Sequence, residues 1–226
     1  MTWSGPVRVL LFGASGMIGQ GVLRECLLAP DVEHVGAVVR RPLGISHSKL
    51  EEIRVADPGQ LADVQGRLAG YDACFFPLGT TSVGKTEAEY ARVTYDLTVA
   101  VATTLARLGA DRLTFVYVSG AGTDSSETGP RMWARVKGRT ENALLRLPFK
   151  AAYMLRPGII QARHGIRSRT PLYRLLYIVL WPIVALAVLV GSATTTDRVG
   201  RAMLHLAREG FPRRVLGTTE INEIGR

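Results

Sequence analysis

The chain has 226 residues, 47% of them hydrophobic, and 28 Lys and Arg against 19 Asp and Glu give a formal net charge of +9. That length buries one substantial core, the absence of low-complexity tracts excludes a disordered chain, and Cys26 and Cys74, without CxxC or His/Cys spacing, exclude a disulfide scaffold and suggest no metal. The positive charge invites a nucleic-acid reading, but the arginines are dispersed and no helix-turn-helix, zinc or RNA-binding signature accompanies them, so no nucleic-acid partner is expected.

The first element is an apolar strand running into a glycine turn, Val7-Arg-Val-Leu-Leu-Phe-Gly-Ala-Ser-Gly-Met-Ile-Gly19, followed by the helical pattern Val22, Leu23, Cys26, Leu27. Gly13 can take a tight turn, Gly16 lets backbone amides approach an anion, and Gly19 lets the helix lie close to the sheet. Amides from Ser15 through Met17 and Ile18 then stand at a helix N-terminus, which favours the pyrophosphate of a dinucleotide. Glycines serving only a turn and packing are the plainer alternative.

The second strand, His34-Val-Gly-Ala-Val-Val-Arg-Arg41, ends in arginines where a carboxylate would accept from a free ribose 2′-hydroxyl. A guanidinium instead clamps a 2′-phosphate, so Arg40 and Arg41 favour NADP(H) over NAD(H), the alternative being a solvated basic turn before Pro42. Asp57 follows a third strand, either beside the adenine or as a helix cap. Further strand-like runs at 72–76, 112–118 and 150–155 alternate with helical stretches, the longest Glu87 to Leu108. This predicts an α/β, Rossmann-like, doubly wound parallel sheet with helices on both faces, in a single domain over 1–226.

The turn has the spacing G-x-x-G-x-x-G, and it resembles that of the extended and atypical short-chain dehydrogenase/reductase superfamily. Phe75-Phe-Pro-Leu-Gly-Thr-Thr81, Val116-Tyr-Val-Ser-Gly-Ala-Gly122, Val136-Lys-Gly138 with Glu141, and Leu155-Arg-Pro-Gly-Ile159 follow in the same order as in the atypical members. Over about residues 6–160 the chain is similar to the Tat-interacting protein family and its bacterial NAD(P)-binding, epimerase-labelled relatives. The resemblance implies that Gly79 and Thr80 line the cofactor, Lys137 holds the nicotinamide ribose, Pro157 and Gly158 shape the nicotinamide loop, and Ser119 polarises a substrate oxygen.

The pattern departs from the superfamily at the chemistry. Tyr-x-x-x-Lys uses a phenol, tuned by the neighbouring ammonium, to exchange a proton. Trp133 stands four residues before Lys137, and an indole N–H only donates. Tyr90, Tyr95, Tyr117 and Tyr153 are candidates to replace it from other elements, and Asp124 with Ser125 to transfer a proton from the loop. The sequence therefore supports an NADP(H)-dependent oxidoreductase or epimerase-like enzyme on an unidentified, lipophilic substrate, with a non-catalytic NADP(H) sensor or scaffold as the alternative.

The second departure is the uncharged apolar run from Leu175 to Val190, preceded by Arg163, Arg167, Arg169 and Arg174 and broken by Pro182. Its length approaches a membrane span, and the arginines suit anionic headgroups. The amphipathic stretch Thr196 to Arg208 should pack back on the nucleotide domain, so residues 160–196 read as an apolar helical lid or an insertion contacting an anionic membrane surface through 163–190. The opening Met1-Thr-Trp-Ser-Gly-Pro6 lacks a basic region followed by an apolar stretch. A cytoplasmic protein, peripheral at most to a membrane, is expected.

Overall fold

All residues of the first strand, β1 (Val7–Phe12), are apolar except Arg8, as a strand covered on both faces requires. Val9 and Leu11 enter one core, Leu10 and Phe12 the other, following the period-two alternation of a pleated strand. The computed structural model describes residues 5–166, 188 and 191–226. The remaining strands are β2 (Val32–Val39), β3 (Leu50–Arg54), β4 (Ala73–Phe76), β5 (Thr114–Val118), β6 (Ala151–Arg156), β7 (Ile159–Gln161), β8 (Ala193–Thr195) and β9 (Val215–Gly217). Seven form one sheet of order β3-β2-β1-β4-β5-β6-β9, parallel at every pairing, while β7 and β8 pair separately. The expected doubly wound Rossmann-like sheet is what the chain forms.

Helices cover both faces. On one, α1 (Met17–Leu28) contributes Val22, Leu23 and Cys26, and α5 (Thr196–Arg208) contributes Val199, Ala202 and Met203. On the other, α3 (Leu97–Gly109) contributes Val101 and Leu105, and α4 (Met132–Leu145) contributes Leu144. Beneath α3 and α4, Phe76 stacks between Phe12 and Phe115, with ring centroids 5.2 and 5.7 Å away, so aromatic contacts cross from β1 through β4 to β5. Short helices α2 (Glu87–Ala91) and α6 (Thr218–Ile224) also occur among the described residues.

The stretch expected as one helix from Glu87 to Leu108 is α2, a π-helical turn over Arg92–Asp96, and α3. Three-residue β7, β8 and β9 escaped the sequence reading because a hydrophobic period cannot register over three residues. Most of the 163–190 stretch, including Arg167, Arg169, Arg174 and Pro182, lies outside the described residues, as does the expected apolar helical segment. Among the described residues no helix is long and apolar enough to cross a membrane.

The amphipathic stretch from Thr196 does return to the nucleotide-binding half, and two glycines let it approach. A Cβ on Gly21 of α1 would lie 2.6 Å from Thr196 Cβ and 2.8 Å from its carbonyl oxygen; one on Gly200 would lie 2.8 Å from Glu25 Cγ. Charges close the crossing: Arg201 sits 3.4 Å from Glu25 and 3.3 Å from Asp197. Gly21→Ala must therefore overpack this contact and should cost about 1–3 kcal/mol in urea unfolding. Gly66→Ala, where a Cβ meets nothing within 4 Å, should stay within about 0.5 kcal/mol of the parent. Equal stabilities for the two variants would refute the crossing.

Candidate functional site

The strand order reverses between β1 and β4, and open α/β sheets bind ligands outside the strand carboxyl ends at such a point. There the backbone is too close for side chains. Gly13 has φ of +84°, and a Cβ on it would lie 2.8 Å from Leu78 Cα in the loop after β4. A Cβ on Gly19 would fall 1.9 Å from Gly13 O, so no other residue lets α1 start this close under the turn.

Gly16 is the N-cap of α1, with no side-chain cap and no acidic residue in the first turn. By contrast, Thr86 caps α2 and Thr195 caps α5 through their side chains. Added to Gly16, a Cβ would touch only Gly13 O at 3.4 Å, leaving the helix end open in front. Uncapped amides, the helix dipole and this open approach fit an anionic pyrophosphate. Met17 and Ile18 supply amides of the first turn, and Ile18 also packs its side chain on the core. Ser15 lines a different, apolar cavity of about 730 Å³ outside α1, with Leu27 and Ile45.

A cavity of about 870 Å³ opens beside the turn. Arg40, Asp57, Gly79 and Thr80, separated in sequence, all line it; Arg92 and Asp96 from the π turn join them. Arg41 is exposed but is not among its lining residues. Asp57 accepts from the Gly59 N–H at 2.9 Å, so its carboxylate also folds its own loop.

At the other end, Ser119, Lys137 and Pro157 converge. Lys137 Nζ donates to the Ser119 carbonyl, and a Cβ on Gly120 would lie 4.0 Å from Nζ and 3.9 Å from Pro157 O. Burial pushes the Lys137 ammonium down to about 8, although the Glu141 charge one turn on opposes that shift. Glu141, only 1% exposed, is itself taken up by Arg156, whose Nε donates to its two oxygens at 3.0 and 3.2 Å. Ser119 is buried and donates its hydroxyl proton to Leu155 O at 3.1 Å. In this arrangement it presents lone pairs, not a proton. Gly158 is held by Thr218, whose Oγ1 accepts from its N–H at 2.9 Å.

Trp133 lies against the turn after β5, where a Cβ on Gly122 would come within 3.3 Å of its ring. The tyrosines do not replace it. Tyr117 is buried and its phenol is pushed well above its usual range, Tyr90 is buried, and Tyr153 bonds Phe211 across the sheet's other core. Tyr95 carries the Arg139 guanidinium 4.0 Å over its ring. Asp124 accepts from Ser126 and from Gly129 N at 2.7 Å, bonds that hold its pKa down and tie it to the loop, while Ser125 Oγ accepts from Arg156 at 2.5 Å.

Two residues were missed. Gly138 lets α4 lie on the loop, since a Cβ there would fall 1.7 Å from Asp124 O; the Val-Lys-Gly sequence carried that signal unread. Arg92 gave no signal, because a single charge on a helical pattern reads as a solvated face.

Residues 13–159 match the model of a family described as NAD(P)H-binding. Among curated proteins, the chain is similar to Protein FMP52, mitochondrial, of Eremothecium gossypii, 31% identical over 68% of this chain and 66% of that protein. A mitochondrial fmp52 of Aspergillus clavatus is 30% identical over 69% of this chain and 68% of that protein. The matched region thus spans about two thirds of these relatives. A short-chain dehydrogenase/reductase family oxidoreductase from Burkholderia thailandensis superposes with a TM-score of 0.64 at 19% identity, covering 95% of this chain and 92% of that one. The enzyme WbmG of Bordetella bronchiseptica, solved with NAD, superposes with a TM-score of 0.67 at 13% identity, covering 95% and 73%.

These likenesses agree with the superfamily resemblance, while its narrower Tat-interacting branch gains no support from them. They also correct the cytoplasmic expectation, because the relatives are named mitochondrial. The absence of a basic-then-apolar opening was too weak a sign of compartment to carry it. With more than half of its length matched, the chain belongs to the NAD(P)H-binding family, on a Rossmann-like fold.

Proposed function

We propose that the protein is an NADP(H)-dependent oxidoreductase in which Lys137 takes over the proton-exchanging role of the absent tyrosine. The observation that carries this reading is Lys137 Nζ placed on the Ser119 carbonyl at the strand ends, an ammonium that burial pushes down to about 8, one helical turn from Trp133, whose indole N–H only donates. Gly13, Gly16 and Gly19 leave room for the pyrophosphate, Arg40 favours a 2′-phosphate, and Asp57, Gly79 and Thr80 surround the adenosine. A bound nicotinamide supplies or accepts hydride. The Lys137 ammonium gives its proton to the substrate carbonyl oxygen and recovers it from solvent; Pro157 and Gly158 border the nicotinamide end, and Ser119 O orients Nζ.

The alternative, a cofactor-sensing protein without turnover, is favoured by Trp133 alone. Single-turnover hydride transfer from NADPH to a panel of aldehydes and ketones separates the two. Transfer in the parent that is lost in Lys137→Met and retained in Trp133→Phe supports the enzyme, whereas tight binding without transfer to any carbonyl supports the sensor.

Lys137 also predicts a pH dependence of stability. Its folded pKa lies below the ordinary 10.5, so between about 8 and 10.5 the unfolded chain binds more protons than the folded one. Stability should then rise with pH through that window in the parent relative to Lys137→Met. Parallel curves for the two proteins would contradict the lowered pKa.

Cofactor choice rests on the strand-end arginines. NADPH should bind more tightly than NADH, and Arg40→Ala should remove about 1.5–3 kcal/mol of that preference while Arg41→Ala leaves most of it. Gly16→Val should abolish binding of both dinucleotides with cooperative unfolding preserved. Equal affinity of the parent for the two cofactors would overturn the NADP assignment, and binding retained in Gly16→Val would overturn the phosphate turn.

A further inference from the structure

The helix that walls the adenosine cavity widens into a π turn where it faces that cavity. Leu97 N bonds Arg92 O five residues back, and Arg92, Val93 and Asp96 of this turn all line the cavity. Wide turns of this kind disturb the carbonyl ladder and recur at functional sites. Here the Thr140 hydroxyl of α4 bonds the Thr94 carbonyl at 3.2 Å while also bonding Val136 O at 2.7 Å, so the turn is stitched to the helix that carries Lys137.

Two arginines thus line one cavity from different walls, Arg40 from the end of β2 and Arg92 from the π turn. Both residues are exposed, and among the described residues neither makes an ion pair within 4 Å. The Glu89 carboxylate feels the Arg92 charge from a distance but makes no ion pair with it within 4 Å. Glu89 accepts from Thr86 N and Oγ at 2.8 and 2.9 Å, and Asp96, four residues on, is not in ion-pair contact. Gly13 and Gly16 are not among the residues lining this cavity, so the pyrophosphate turn lies outside it. An anion recognised inside the cavity is therefore an adenosine-end phosphate.

We infer that Arg92 is a second specificity determinant for NADP(H), closing with Arg40 on the ribose 2′-phosphate. A phosphate monoester dianion offers three acceptor oxygens, enough for two planar guanidinium forks, and an unphosphorylated ribose offers neither the charge nor the geometry. This rests on the NADP(H) reading above.

Calorimetric titration of the full chain with NADPH, NADH, adenosine 2′,5′-bisphosphate and 5′-AMP tests the inference. Arg92→Ala should weaken NADPH and the bisphosphate about tenfold or more, with NADH and 5′-AMP held within about twofold. Arg92→Lys should recover part of the loss. Unchanged NADH binding doubles as the check that the variant is folded. A parent that prefers NADPH with Arg92→Ala indifferent overturns the role of Arg92 alone, and equal losses for NADPH and NADH place its contact at the pyrophosphate and overturn it too. A parent without preference for the 2′-phosphorylated ligands overturns the NADP reading itself.

Discussion

The site depends on backbone meeting backbone at the reversal point of the sheet. The turn after β1 presses on the loop after β4 at Gly13 and Leu78, and α1 begins against the same turn at Gly19. Because neither approach tolerates a Cβ, the amides of the α1 first turn are fixed at the mouth of the crevice with no side chain capping them among the described residues. A helix end left uncapped has lost hydrogen bonds that Ser, Thr or Asp would restore at about 1 kcal/mol. A bound anion at this end would restore them instead.

From that point the site extends in two directions with different physics. Toward β2 and β3 it is open and charged, with the exposed Arg40 and Arg92 lining the cavity. Toward β5 and β6 the Lys137 ammonium sits on the Ser119 carbonyl, with burial pushing its pKa down. The buried Glu141 holds that pKa up only in part. Its carboxylate is spent on Arg156, which also reaches Ser125 and ties the loop to β6. Thr140 links the two directions by bonding the π turn from the helix that bears Lys137.

What the sequence revealed follows from how local each constraint is. The glycine turn could be read because three glycines between a buried strand and a helix have few other uses, and Lys137 because its motif recurs in order with the rest. Arg40 and Arg41 are neighbours with identical chemistry, and only the course of the loop after β2 separates the one that lines the cavity from the one that does not. Gly21 and Gly200 serve a crossing between helices remote in sequence, so neither carries a local sign. The direction of the Ser119 hydroxyl depends on Leu155 O in the next strand, a partner that no single-strand pattern reveals. The relatives' mitochondrial names corrected a compartment inferred from thiols and an N-terminus, which constrain it weakly.

A crystal structure with NADPH bound tests the central claim most directly. The account predicts pyrophosphate oxygens within hydrogen-bond distance of the Met17 and Ile18 amides, the adenosine between Asp57 and the π turn, and the nicotinamide beside Lys137. A dinucleotide seated in the apolar cavity outside α1, or one whose nicotinamide lies away from Lys137, would contradict it.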